Sequence, residues 1–368
     1  MAAGLWRIER YTIVGVGLAL LTGMVVASRT AGRDDTVVRL RSRLTRFVTE
    51  QSASPAVPPR RPVPAGDGVD MVAQDFYRAA ARLRIPQASG QLPFDEFTVH
   101  LAWPCLEPVL MLLRAGARCE RTGDNGTPNC WTAQLFRAGF SREVAAGRQE
   151  AAVALWLDWA TVALDGLDAL PEVLARADDA WMRGLVPEAA TALERGLERL
   201  DAASVLRQCG DVPRLLADCV AGVLSRDEQI PAAGRLADWR LGFDPMTADL
   251  EVLDQLRSAL PSLATAPTYW PARQAQWRRF LAAAPAGELC GAWRWMHYHA
   301  DREQCRFERT TRIRLHRLAL AAVRGEALPP LDDPFGGSFG ITYECGGAML
   351  RLRSAAKHAV VERCVGLD

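Results

Sequence analysis

The sequence predicts a mainly α-helical protein with an N-terminal transmembrane helix, a multi-helix body and a small C-terminal β-hairpin. Three observations predict it. An uncharged run opens the chain, apolar residues recur at helical spacing through most of its length, and after Pro329-Pro330 the pattern turns to Gly, Pro and short alternating stretches. The 368 residues are 49% hydrophobic and 24% charged, with a mean hydropathy of −0.03, the composition of a folded chain and not of a disordered or polytopic one.

Tyr11 to Ser28 holds no charge and is long enough to span a bilayer, with Trp6 and Tyr11 at its leading edge. It reads as a membrane anchor or signal helix over 1–28, Val25-Val26-Ala27 being a weak cleavage site. No cysteine lies near residue 28, which excludes a lipoprotein anchor. Gly15, Ala19, Gly23 and Ala27 recur every four residues, a small-residue stripe on which a second copy of the helix could pack. Over 29–50, Val37, Leu40, Leu44 and Phe47 share one helical face and Arg39, Arg43 and Arg46 another, the pattern of a basic amphipathic helix that can lie on anionic headgroups.

Orientation is argued from two sides. Six arginines follow the span between Arg29 and Arg46 and two precede it, which by charge alone holds the body in the cytoplasm. A short basic segment before one apolar stretch is the usual export signal. Export is the expectation, giving an inner-membrane protein with a periplasmic body, and a cytoplasmic body is the alternative.

Residues 51–68 carry five prolines between Pro55 and Pro64 and read as a semi-stiff spacer. An all-α body is expected over 69–325. Ala152, Leu155, Trp156, Trp159, Val162 and Ala163 define one helix face, and Val186, Ala189, Ala190, Leu193, Leu197 and Leu200 another. Further helices are expected near 70–84, 106–117, 206–224, 247–259, 272–284 and 286–324. An echo between 160–170 and 190–200 raises a solenoid-like stacking of these helices. Residues 326–368 form the last module, with strands from Gly340 to Cys345 and from Ala348 to Leu352.

Charge is unevenly distributed. Residues 1–68 hold ten Arg against five acids, while the rest holds 34 basic against 38 acidic residues, so the body is net acidic and unsuited to general nucleic-acid binding. Lys357 is the only lysine, a bias that reads as coding composition.

Nine cysteines are spaced at least ten residues apart, so no CxxC exists, and zinc-ribbon, ferredoxin, thioredoxin and c-type haem signatures are absent. Spacing suggests four local disulfides, Cys119 with Cys130, Cys209 with Cys219, Cys290 with Cys305 and Cys345 with Cys364, which fit an oxidising compartment. Buried free thiols are the alternative, and Cys105 is left over.

Three local patterns carry chemistry elsewhere. Gly336-Gly337-Ser338-Phe339-Gly340 matches GxSxG, but a Pro-rich turn precedes it and a strand follows, where a nucleophile elbow needs a strand-to-helix turn. Ser354-Ala355-Ala356-Lys357 matches SxxK without the SDN and KTG elements that accompany it. His297 and His299 point to different sides of a helix; Trp293 shares a face with His297, Asp301 lies four residues after His297, and Glu303 lies four after His299. A packed aromatic face is expected there, not a metal site. Asp332-Asp333 precedes proline in a turn, where an Asp caps backbone N–H groups.

Residues 314–355, RLHRLALAAVRGEALPPLDDPFGGSFGITYECGGAMLRLRSA, resemble a tail of membrane-anchored bacterial envelope proteins, which is similar in turn to the end of pseudopilins. The likeness rests mainly on Asp333-Pro334-Phe335-Gly336, and the chain departs from pseudopilins in lacking their N-terminal cleavage motif. It implies an envelope protein with a structural tail and brings no catalytic residue. The expected function is interaction or scaffolding in the envelope, with protein partners, no cofactor and no metal. An envelope enzyme with a site gathered from distant helices is the alternative.

Overall fold

A computed structural model describes residues 35–53, 96–119, 130–164, 169–229, 245–263, 265–284, 291–355 and 362–367. The expected span and its Gly15, Ala19 and Gly23 stripe, the Pro-rich spacer from residue 54 and the helix near 70–84 lie outside these. Among the described residues no helix is long and apolar enough to cross a membrane. The described chain is mainly helical and ends in a small antiparallel sheet. It divides into two compact units, and the unit boundaries fall within two of the helices.

The first unit combines α1 (35–53), α8 (Val212–Gln229), α9 (Pro245–Ala259) with the 3₁₀ turn Leu260–Leu263, and the parts of α10 (Trp270–Ala282) and α11 (Gly291–Val323) that lie within 277–297. In α1 the expected apolar stripe is buried, Leu44 completely and Leu40 and Phe47 nearly so, while Arg39, Arg43 and Arg46 face solvent. Arg43 pairs with Asp254 of α9 at 3.1 Å. The apolar face that could have lain in headgroups is therefore spent inside the protein. The folded body accordingly starts before the proline segment and not at residue 69. Leu216 and Val220 of α8, Leu250, Leu253 and Leu256 of α9, and Trp277 and Phe280 of α10 complete the unit's core.

The second unit is built around one helix. α4 (Gln149–Ala163) packs against α2 (Glu96–Cys119), α3 (Cys130–Ala145), α5 (Ala169–Arg176) and α7 (Pro187–Leu206). A solenoid is a row in which each element meets only its neighbours. A helix with four packing partners is the centre of a bundle, and that is why α4 is apolar nearly all round, with Trp156 and Trp159 among the largest fully buried side chains. The echoed segments differ in structure as well: 160–163 closes α4 whereas 190–200 lies inside α7.

Gly196 sets the α4–α7 approach. A Cβ placed there would stand 2.3 Å from the Leu157 side chain, so any larger residue would force Leu157 or the helix to shift. Pro187 opens α7 in the first turn, where its missing N–H costs nothing. Asp178 caps the short α6 (Asp179–Arg183) through the Trp181 N–H at 2.8 Å.

The sheet has three strands in the order β1 (Gly340–Glu344), β2 (Met349–Arg353), β3 (Glu362–Gly366), all antiparallel. The expected hairpin is β1–β2, and β3 extends it. Leu350, Leu352 and Val365 point into the same core as the α4 tryptophans.

Candidate functional site

The turn Asp333–Gly337 organises the C-terminal module. Asp333 is fully buried, and its carboxylate accepts from the Phe335 N–H (3.0 Å), the Ser354 hydroxyl (2.7 Å) and the Ala355 N–H. One side chain thereby closes its own turn and fixes the end of β2, the capping role its position before proline predicts. Gly336 and Gly337 hold φ of 113° and 79°, conformations that favour glycine. Ser338, the GxSxG serine, is exposed in an extended bridge with Asp332, and β1 follows it instead of a helix. Ser354, the SxxK serine, spends its proton on Asp333, while Lys357 lies outside the described residues.

A second buried constellation was not visible in the sequence. Arg273 of α10 and Glu303 of α11, each 2% exposed, form a bidentate pair at 2.7 and 3.0 Å, and Glu303 also accepts the Gly210 N–H at 2.7 Å. Arg273 reaches Gln276 at 3.2 Å, which in turn donates to Thr265. Burial works against the charged guanidinium, and the hydrogen bonds and charge of Glu303 more than offset it, so the Arg273 pKa lies above its ordinary value. Beside them, burial and then the Glu303 charge push the Cys209 thiol up to about 11, leaving it protonated and unreactive at neutral pH. The Glu303 carboxylate thus bridges Arg273 and the Gly210 backbone.

Two further networks tie α11 down. Asp201 of α7, nearly buried, receives Arg314 at 2.9 Å and Arg317 at 2.7 Å, with Glu198 and Glu194 extending the ladder to Arg317 and Arg324. A cavity of about 80 Å³ lies along it, lined by Glu194, Glu198, Arg317, Leu320 and Pro329. His316 is buried, stacked 6.0 Å from Trp156, with Nε2–H donating to the Ala177 carbonyl at 3.0 Å and Nδ1 facing Arg363, which pairs with Asp179 at 2.7 Å. Burial and then the Arg363 charge hold the His316 pKa well below its ordinary value, against the Ala177 hydrogen bond, so the ring is neutral.

His297 packs against Trp293 with ring centroids 3.9 Å apart, as their shared face predicts. Among the described residues no group of three His, Cys, Asp or Glu side chains is placed to hold a metal.

The disulfide expectations meet a different arrangement. No two described cysteines lie at disulfide distance, and Cys209, Cys345 and Cys364 are free thiols. For Cys345 and Cys364 the reason is topology: Cys345 lies in the turn that joins β1 to β2, Cys364 sits within β3 opposite Arg351, and β2 runs between β1 and β3. Cys290 and the side chains of Cys119 and Cys130 lie outside the described residues.

The fold and its networks define the class as an all-α bundle protein with a small β appendage. No protein-family model, no curated protein and no solved structure matches the chain.

Proposed function

We propose that the chain is a membrane-anchored envelope protein whose helical body acts by binding other proteins. The observation that carries it is α1. Described from residue 35, close in sequence to an uncharged stretch of spanning length that ends at Ser28, it buries Leu40, Leu44 and Phe47 in the body and leaves Arg39 and Arg46 exposed. A folded unit fastened that close to the span sits at the membrane surface, where exposed arginines meet anionic headgroups. The resemblance of 314–355 to envelope-protein tails supports the same setting, and the exposed strand β1 supports binding as the mode of action.

A periplasmic body is the reading carried forward from the export-type N-terminus. A cytoplasmic body is favoured by the arginines after the span together with the free thiols of Cys209, Cys345 and Cys364. Alkaline extraction of native membranes followed by impermeant thiol labelling tests both steps. The protein is expected to stay with the bilayer, and labelling of Cys105 in intact spheroplasts places the body outside. Release with the soluble fraction overturns the anchored reading.

A further inference from the structure

β1 is an edge strand whose protection is limited to its shortness and Glu344. It has no proline, lysine or bulge, and every one of its residues from Gly340 to Thr342 to Tyr343 is exposed, Tyr343 at 63% and Ile341 at 44%. The opposite edge is closed: Gly366 of β3 donates its N–H to Asp179 at 3.2 Å and its carbonyl accepts from Arg183 at 2.6 Å. Among the described residues nothing comparable reaches the outer edge of β1. Ile341 and Tyr343 stand opposite Leu352 and Leu350, which are buried, so they share the core-facing side of the sheet and extend its apolar surface past the helices.

We propose that β1 pairs antiparallel with β1 of a second copy about a two-fold axis through Thr342, joining two three-stranded sheets into one of six strands. This deepens the binding reading above and rests on it. The register is self-complementary. Ile341 falls opposite Tyr343 of the second copy on the core-facing side, twice, and Thr342 falls opposite Thr342, both favourable cross-strand pairs. On the outer side Glu344 falls opposite Gly340, so no charge meets its like.

Gly340 has no side chain, and in its own sheet it stands opposite the exposed Arg353. Arg353 therefore looks across an empty position toward Glu344 of the second copy, where Glu344 already holds its own Arg351 at 3.1 Å. A shift by one residue would turn Ile341 and Tyr343 against the polar face, so the apolar pairs fix the register. The strand is short, and two copies held in one membrane gain effective concentration that a five-residue pairing needs.

The test uses the full chain in detergent or reconstituted bilayers. With mild oxidant, Thr342→Cys is expected to trap covalent dimer about tenfold above the parent chain, since directly opposed antiparallel residues lie within the span of a disulfide. Ile341→Cys and Tyr343→Cys are expected to cross-link to each other when mixed and far less alone, which reads the register. Thr342→Lys, a solvent-facing change, should lower the dimer fraction in sedimentation without altering the helical signal. Parent-level cross-linking by Thr342→Cys, or a chain that sediments as a monomer in the bilayer mimic, overturns the pairing. A dimer untouched by Thr342→Lys overturns it equally and assigns self-association elsewhere. Membrane extraction reads the anchored reading independently, so failure of one leaves the other visible.

Discussion

Removing Glu303 tests whether the buried pair organises the second unit. Glu303→Ala deletes the acceptor for Arg273 Nε, Arg273 Nη2 and the Gly210 N–H, and leaves a guanidinium that is 2% exposed with its counter-charge gone. Breaking a buried pair from one side costs about 3–5 kcal/mol, because the remaining charge is uncompensated. Replacing both partners by apolar groups, Arg273→Met with Glu303→Leu, removes that burial of charge and leaves chiefly the Gly210 N–H unsatisfied, about 1–3 kcal/mol. The single variant should therefore be less stable than the double. Urea unfolding of the full chain in detergent, followed by circular dichroism and tryptophan fluorescence, measures both. A Glu303→Ala midpoint within error of the parent, or a double variant at least as damaged as the single, refutes the reasoning.

His316 sets a pH dependence. Its folded pKa is depressed below 6.5, so below that pH the unfolded chain binds the extra proton and stability falls, by at most about 1.4 kcal/mol per pH unit; above it the contribution is flat. Unfolding midpoints between pH 7 and 5 should show the slope in the parent and lose most of it in His316→Gln. Cys209, with its thiol near 11, should alkylate on the order of a hundredfold slower at neutral pH than the exposed Cys105, read by mass spectrometry of timed iodoacetamide reactions. Gly196→Ala gains helix propensity but drives a methyl to 2.3 Å from Leu157, and a net loss of about 1–3 kcal/mol is expected in the same unfolding assay. Asp333→Ala strands three donors in the C-terminal turn, and hydrogen exchange should rise in β1 and β2 well before it rises in α4.

The helices were legible where burial repeats at helical spacing. Leu40, Leu44 and Phe47 are buried as their spacing requires, and so are Ala152, Leu155, Trp156, Trp159, Val162 and Ala163. What spacing could not say is what covers a stripe, and the apolar face of α1 is covered by protein. α2 begins ten residues earlier than its pattern suggested and contains Pro104 and Pro108, residues that read as breaks. β3 was missed because five residues give a weak alternation; only Val365 faces the core fully. Asp333 was legible as a turn cap because its partners include its own neighbour Phe335. Arg273 and Glu303 were not, because thirty residues separate them, they lie on different helices, and nothing local marks either as paired. The faint signal a reader could have used is that Arg273 shares a helical face with Trp270 and Trp277, and Glu303 with Ala300 and Phe307.

The near absence of lysine has a consequence in strong base. Each described ion pair takes its cation from arginine, including those of Asp201, Glu303 and Asp179. A lysine-bridged body loses its cations as the solution approaches the ammonium pKa, and its helices part; guanidinium stays charged beyond that range. In a carbonate wash of membranes the bundle should consequently stay folded, so that retention of the chain with the bilayer reports the proposed anchor and not a collapsed, sticky body.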